Sequence, residues 1–251
     1  MIRFIVNADD LGLTEARTEA VMQFLKVGCI SSASIMANSS HLSTISSLIQ
    51  EYPNASFGIH LNITEGRALT EKLQRYDLTD SSGDFRTKHN VVFDFRQSPQ
   101  ALLDAVEEEW DAQIDRLKSY GISPSHVDGH HHCHTFPGLE NVLLRVMRTH
   151  GLTKVRNTYN WPNPTFRHFI KRHLVHAREN AFSLFCRQNG LQTTRYFGGF
   201  DEIETRLRGA HTCWLGNAVI ECMCHPGHPD YAAETEHVRS SRLPLISWND
   251  L

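Results

Sequence analysis

The 251-residue sequence has no C-x-x-C pair; its six cysteines (Cys29, Cys133, Cys186, Cys213, Cys222, Cys224) are scattered. That spacing excludes a disulfide framework and reads as reduced thiols used in packing. Cys222 and Cys224 sit two apart beside a histidine, and a core strand accounts for them better than zinc ligation. No apolar run approaches the ~20 residues of a membrane span, and Met1–Asn7 turns polar too soon for a secretory leader. There is no basic block either: 25 Lys and Arg against 28 Asp and Glu leave a net charge of −3. Nothing in that balance suggests a nucleic-acid partner. Internal repeats, low-complexity tracts and linkers are missing too. The expectation is a cytoplasmic protein with neither a membrane nor a nucleic-acid partner. A chain that is 40% hydrophobic can bury a sizeable core. At this length α/β barrels commonly form one domain, so residues 1–251 are expected to be a single domain.

What the sequence has in abundance is histidine. Five of sixteen fall in Ser125-His126-Val127-Asp128-Gly129-His130-His131-His132-Cys133-His134. If His126 to His134 is extended, a period of two puts His126, Asp128, His130, His132 and His134 on one face. Neutral imidazole is the commonest ligand for a borderline metal, and a nearby carboxylate can ligate or orient the ring. The plainer reading is an exposed polar turn.

Strands and helices alternate along the chain. Ile2 to Val6 reads as a strand buried on both faces, ending in Asn7-Ala8-Asp9-Asp10-Leu11-Gly12. Thr14 is a candidate N-cap for a helix that Gly28 closes. Strands follow at Ile30 to Ala37 and Ser56 to Leu61, with a helix between them that ends before Pro53. Residues 62–100 look like an excursion over a site, with one short strand at Val91 to Phe95. Ala101 to Tyr120 carries an apolar stripe, with Glu107 to Glu109 expected to face water. The histidine stretch is a fourth strand, and a helix over Leu139 to Met147 follows, closed by Gly151. Leu152 to Asn157 is a fifth strand. A second excursion spans 157–200, with a basic helix near Phe166 to Phe185 and a strand at Thr193 to Phe197. A short helix over Asp201 to Arg208 and a strand at Ala218 to Cys224 complete the pattern.

This alternation predicts a parallel sheet wrapped by helices, open or closed. Asp9 and Asp10, His60, Asp128 and His130, Arg156 and His225 all fall at C-terminal strand ends. That favours a distorted TIM-like (β/α) barrel of about seven parallel strands, where such ends share one face.

Each candidate has two readings. Asp9 and Asp10 are either a helix N-cap or a pair in which a divalent cation holds one carboxylate and leaves the other as a base. His60 is either a satisfied core histidine or a ligand; Asn62, Thr64 and Glu65 follow it and can ring a polar site. Asp10, His60 and His130 together supply one carboxylate and two imidazoles, a set that leaves positions open for water and substrate. His225 is a turn histidine or a proton donor opposite Asp9. Arg156 can bind substrate or orient Asp9. Trp161 and the Phe197-Gly198-Gly199-Phe200 turn offer aromatic faces, or simply pack.

Four blocks carry a resemblance: Asn-Ala-Asp-Asp-Leu-Gly at 7–12, Gly-Ile-His-Leu-Asn-Ile-Thr-Glu-Gly at 58–66, His-Val-Asp-Gly-His-His-His-Cys-His at 126–134 and Glu-Cys-Met-Cys-His-Pro-Gly at 221–227. Together, in this order, they resemble the YdjC-like carbohydrate deacetylases, the group that contains chitooligosaccharide deacetylase. Leu11 stands where that family usually has phenylalanine, and Cys133 where it usually has an aliphatic residue. The stretches 67–100 and 157–200 show no pattern to align. The resemblance implies a distorted (β/α) barrel, a divalent metal ion (Mg, Zn, Mn or Co), an N-acetylated sugar as substrate, and often a homodimer. Position by position it implies Asp10, His60 and His130 as metal ligands, Asp9 as base and His225 as acid. Arg156 and Glu65 are the candidates for substrate binding. A metal-dependent phosphoesterase and a sugar-binding regulatory protein without turnover are the rival readings.

Overall fold

The computed structural model describes residues 2–86, 94–158, 181–209 and 217–251. The first strand, β1 (Arg3–Leu11), is buried along nearly its whole length, as its apolar, β-branched start requires of a central parallel strand. It is followed by α1 (Glu15–Val27), β2 (Ser32–Met36), α2 (Leu42–Ile49) and β3 (Ser56–Leu61). Next come α3 (Gln100–Ser119), β4 (Val127–Gly129) and α4 (Glu140–Thr149). The remaining elements are β5 (Tyr196–Gly199), α5 (Phe200–Gly209), β6 (Val219–Cys224) and α6 (Ala232–Ser240). The strands form one parallel sheet in the order β4-β3-β2-β1-β6-β5. No described helix is long and apolar enough to cross a membrane.

Local signals that depend on a few residues behave as expected. Thr14 accepts a hydrogen bond from the Arg17 N–H, and Gly28 closes α1 in the left-handed region at φ 70°. Val106, Trp110, Ile114 and Leu117 of α3 are buried in the same core as Val142, Leu143, Val146 and Met147 of α4.

Five expectations are corrected. Among the described residues the sheet is a curled six-stranded one, not a closed barrel of about seven strands. The predicted strand at Leu152 to Asn157 contributes only isolated bridges, Val155 with Val127 and Lys154 with Gln192. Its partner β4 is three residues long and offers no longer ladder. The histidine stretch is not extended to His134: after Gly129 the chain turns through His130–Thr135, with His131 and His132 at φ 51° and 57°. The strict face alternation is therefore lost at His130. Glu109 does not face water; it is fully buried on the inner side of α3. The Phe197-Gly198-Gly199-Phe200 segment is no turn, since it forms β5 and the start of α5, and both phenylalanines are buried.

The first excursion holds a 3-10 turn at Lys72–Tyr76 and isolated bridges pairing Arg67 with Asp84 and Thr79 with Phe85. Most of the strand expected at Val91 to Phe95, Trp161, and the helix expected near Phe166 up to residue 180 lie outside the described residues. Residues 181–188 are helical.

Sheet register positions the polar residues. Parallel pairing sets Met36 against His60, His60 against Asp128, and Ala8 against Cys224. The C-terminal ends of β1, β3, β4 and β6 therefore meet around one point, which is where ligands bind in curled parallel sheets.

Candidate active site

Neighbouring side chains on a strand point to opposite faces, yet Asp9 and Asp10 serve one site. The reason is a bulge. The β1–β2 register shifts between Ala8 and Leu11, and Asp10 sits at φ 65°. Aspartate tolerates the left-handed region better than most residues, at a cost of order 1 kcal/mol. The kink aims Asp10 at β3 and β4 while Asp9 turns toward Arg156.

Asp10 Oδ1 lies 2.7 Å from His130 Nδ1 and 3.3 Å from His60 Nε2. The far nitrogen of each ring is engaged: His60 Nδ1 with Asp128 Oδ1 at 2.7 Å, and His130 Nε2 with Glu65 Oε2 at 2.9 Å. A carboxylate only accepts, so each ring donates its outer N–H, and in the neutral ring the inner nitrogen then presents a lone pair to Asp10. Three electron-rich atoms then face one another, and among the described residues buried Asp10 Oδ1 has no hydrogen-bond partner of acceptable geometry. Such a set demands positive charge at its centre. The titration behaviour agrees. Burial disfavours a charged His60, but Asp128 and Asp10 outweigh it and raise the ring to about 10. Burial likewise opposes, and Asp10 and Glu65 prevail, in raising His130. Burial is again outweighed at Asp10, where His130 and His60 hold the carboxyl well below its usual range. Either two rings hold protons, or neutral rings and Asp10 hold a divalent cation. One carboxylate and two imidazoles fit a borderline metal, so the residues present suit such an ion.

Asp9, His60 and Asp128 also bring ligand atoms within 4.8 Å of one another. There the positive charge is already supplied by Arg156. This guanidinium is fully buried and pairs bidentately with Asp9 at 2.6 and 2.7 Å. It also reaches Asp128 Oδ2 at 2.9 Å and Glu221 Oε1 at 2.7 Å, with the Phe197 ring centroid 4.9 Å from its Cζ. Each of its three nitrogens meets a carboxylate. Asn7 donates to Asp9 Oδ1 at 2.7 Å, and Ser34 donates to Asp128 Oδ2 at 2.6 Å. Arg17 pairs with Asp10 Oδ2 at the mouth.

His225 leaves β6 beside Asp9, as the pairing of Ala8 with Cys224 requires. Its backbone N–H donates to Glu234 Oε2 at 2.9 Å, and its ring stacks on Tyr231 at 4.9 Å between centroids. Burial disfavours the cation, but Glu234, Asp9 and Asp10 outweigh it and raise the ring above its usual value. The structure thus gathers Asp9, Asp10, His60, Glu65, His130, Arg156 and His225 at one end of the sheet. Two other histidines of the stretch bond to different groups: His131, its ring 4.0 Å from that of His130 between centroids, meets Thr64 Oγ1 through Nδ1 at 3.0 Å, and His134 Nε2 meets the Arg156 carbonyl at 3.1 Å. Sequence reading singled out no role for Ser34, Asn7, Arg17 or Glu221. Glu221 lay within a quoted block, and an acidic residue inside a buried strand was the signal for it.

The YdjC-like protein family model matches residues 3–245. The chain belongs to the YdjC-like family. Two relatives named carbohydrate deacetylase are those of Clostridium beijerinckii, 28% identical over 91% of this chain and 83% of the relative, and Vibrio cholerae, 30% identical over 91% and 80%. A third, from Oceanobacillus iheyensis, is 31% identical, and that match spans only 59% of this chain and 61% of the relative. An Enterococcus faecalis V583 crystal structure, named a candidate cellobiose-phosphate cleavage protein, superposes with a TM-score of 0.71 at 20% identity, covering 99% of this YdjC-like chain and 98% of that one. At that identity the likeness speaks for the fold alone.

Proposed function

We propose that this YdjC-like protein is a divalent-metal-dependent hydrolase that removes acetyl groups from N-acetylated sugars, on a single domain with the character of a distorted TIM-like barrel. The observation that carries the proposal is the convergence of Asp10 Oδ1, His60 Nε2 and His130 Nδ1 beside an Asp9 gripped by Arg156. The names of the relatives supply the substrate class.

Asp10, His60 and His130 are the residues that would hold the ion. A divalent cation bound there supplies Lewis-acid charge to the amide carbonyl and makes water more acidic. The bidentate pair with Arg156 fixes Asp9 in orientation, so Asp9 receives the proton that attacking water loses. An amine leaves poorly unless protonated, and His225, raised by Glu234 and Asp9, delivers that proton to the departing nitrogen. Acetate and a free amino sugar result. Every guanidinium nitrogen of Arg156 is already engaged, so orienting Asp9 is its part here. Glu65 acts on the ring of His130, and its partial exposure leaves room for a substrate contact as well.

Acetate release from a panel of N-acetylated mono- and disaccharides, with Mg, Zn, Mn or Co added in turn, tests the reading. The expected result is release with at least one metal, a metal-to-protein ratio near one, and loss of both metal and activity in His130→Ala. Release of phosphate from sugar phosphates without release of acetate would overturn it. Light scattering reads the expected homodimer.

A further inference from the structure

Helix α3 carries two polar side chains on a face that is otherwise apolar. Glu109 and Gln113, one turn apart, are both fully buried between Ala105, Val106, Trp110 and Ile114. A buried carboxylate or carboxamide costs several kcal/mol unless its hydrogen bonds are met, so what meets them shows what the pair does.

Apart from each other, their partners all lie on one loop. The Glu109 carboxylate accepts the Leu69 N–H at 3.0 Å, the Thr70 N–H at 2.8 Å and the Thr70 hydroxyl at 2.7 Å. It also accepts Gln113 Nε2 at 2.8 Å. Gln113 in turn holds both sides of Asn62: its Oε1 accepts the Asn62 N–H at 2.9 Å and its Nε2 donates to the Asn62 carbonyl at 2.6 Å. The pair therefore pins the start and the end of residues 62–70. Within that segment the Asn62 side chain repeats the pattern. Its Oδ1 accepts the N–H groups of Thr64 at 2.9 Å and Glu65 at 3.1 Å, and its Nδ2 donates to the Glu65 carbonyl at 2.6 Å. Glu65 then reaches His130 Nε2 at 2.9 Å. The chain of contacts runs unbroken from the core of α3 to a ring of the candidate metal centre.

We propose that Glu109 and Gln113 are positioning residues for that centre: by clamping residues 62–70 they hold Glu65 against His130 Nε2 and so present His130 Nδ1 toward Asp10. This rests on the reading of Asp10, His60 and His130 as metal ligands. A partner that orients a ligating histidine is worth ~10–100-fold in metal affinity, and the clamp controls that partner. A clamp that served only to hold the fold together would lower stability and leave the centre untouched.

The test compares Glu109→Gln, Gln113→Leu and Glu65→Ala in the full chain, with zinc and manganese as probes in calorimetric titrations. Glu109→Gln keeps the shape but turns an amide N–H₂ toward donors, and Gln113→Leu removes both bonds to Asn62. Each should weaken metal affinity by ~10-fold or more, and excess metal should restore kcat with KM unchanged. In a Glu65→Ala background the same changes should add less than about 2-fold, because their route to His130 is already cut. Val146→Ala, a core truncation on α4, provides a variant destabilised without touching the loop, and its metal affinity should be unchanged. Affinity within about 2-fold of wild type in both clamp variants, or effects that add in full to Glu65→Ala, would overturn the proposal. Metal-free protein gives a readout independent of the ion. The His130 Nε2–H resonance should be protected from exchange in the wild type and lose protection in the clamp variants. If the wild type binds no metal but this protection follows the clamp, the ligand reading fails and the positioning role stands. Protection that is unchanged in the clamp variants refutes the positioning role.

Discussion

Replacing Glu221 by glutamine should stabilise the protein at pH 8 and leave it nearly unchanged at pH 4. Glu221 is fully buried; its Oε1 accepts Arg156 Nε at 2.7 Å, while buried Oε2 has no hydrogen-bond partner among the described residues. Arg156 already faces Asp9 and Asp128, so Glu221 is the third carboxylate around one guanidinium. Burial is the largest influence. Against the pull of Arg156, and helped by repulsion from Asp128 and Asp9, it pushes the Glu221 carboxyl from 4.5 to about 7. The folded protein therefore keeps a proton that the unfolded chain has released. Stability falls as pH rises through that window and is level above it. About 2.5 pH units at ~1.4 kcal/mol each make the cost about 3 kcal/mol at pH 8. Glutamine stays neutral, keeps a carbonyl for Arg156 Nε, and puts an amide N–H₂ where the unpartnered oxygen was. Urea unfolding at pH 4, 5.5, 7 and 8 measures the difference, provided m is the same in both proteins. The advantage of Glu221→Gln should be near zero at pH 4 and grow to about 3 kcal/mol at pH 8. A difference that does not vary with pH, or a variant less stable at pH 8 than at pH 5 relative to wild type, would refute the reasoning.

Asp9→Asn should keep its bound metal and lose ~10²-fold or more in kcat, since it removes only the group that accepts a proton; metal titration and acetate release on one preparation separate the two effects. In Gly58→Ala, the added Cβ would lie 2.5 Å from two atoms of the His126 ring, which stacks on Trp248 at 4.8 Å between centroids and has little room to retreat. A loss of ~1–3 kcal/mol in urea unfolding is expected; a neutral result would mean that the ring moves freely.

Much of the site could be read from the chain alone, for a definite reason. Strand ends and helix caps depend on a few adjacent residues, so the places where Asp9, Asp10, His60 and His225 leave the sheet followed from apolar runs and punctuating glycines. The four spaced blocks then tied those residues to one family. The misreadings share another cause. Glu109 is expected in water because charged residues usually face it, and nothing in α3 itself announces that a loop some forty residues earlier brings it three donors. Period-two alternation is the default for a strand and predicts an extended histidine stretch, whereas β4 stops after three residues.

The sequence by itself determined which residue types stand at the strand ends, and hence that a carboxylate and two imidazoles were available to one cation. The tertiary structure alone decided how they divide the work. The bulge at Asp10 sends adjacent carboxylates to different partners, Asp128 orients His60, and Arg156 is spent on Asp9 rather than on a ligand. Such assignments depend on sheet register and on which loops fold back over the sheet, and contacts of that range leave no periodic trace along the chain.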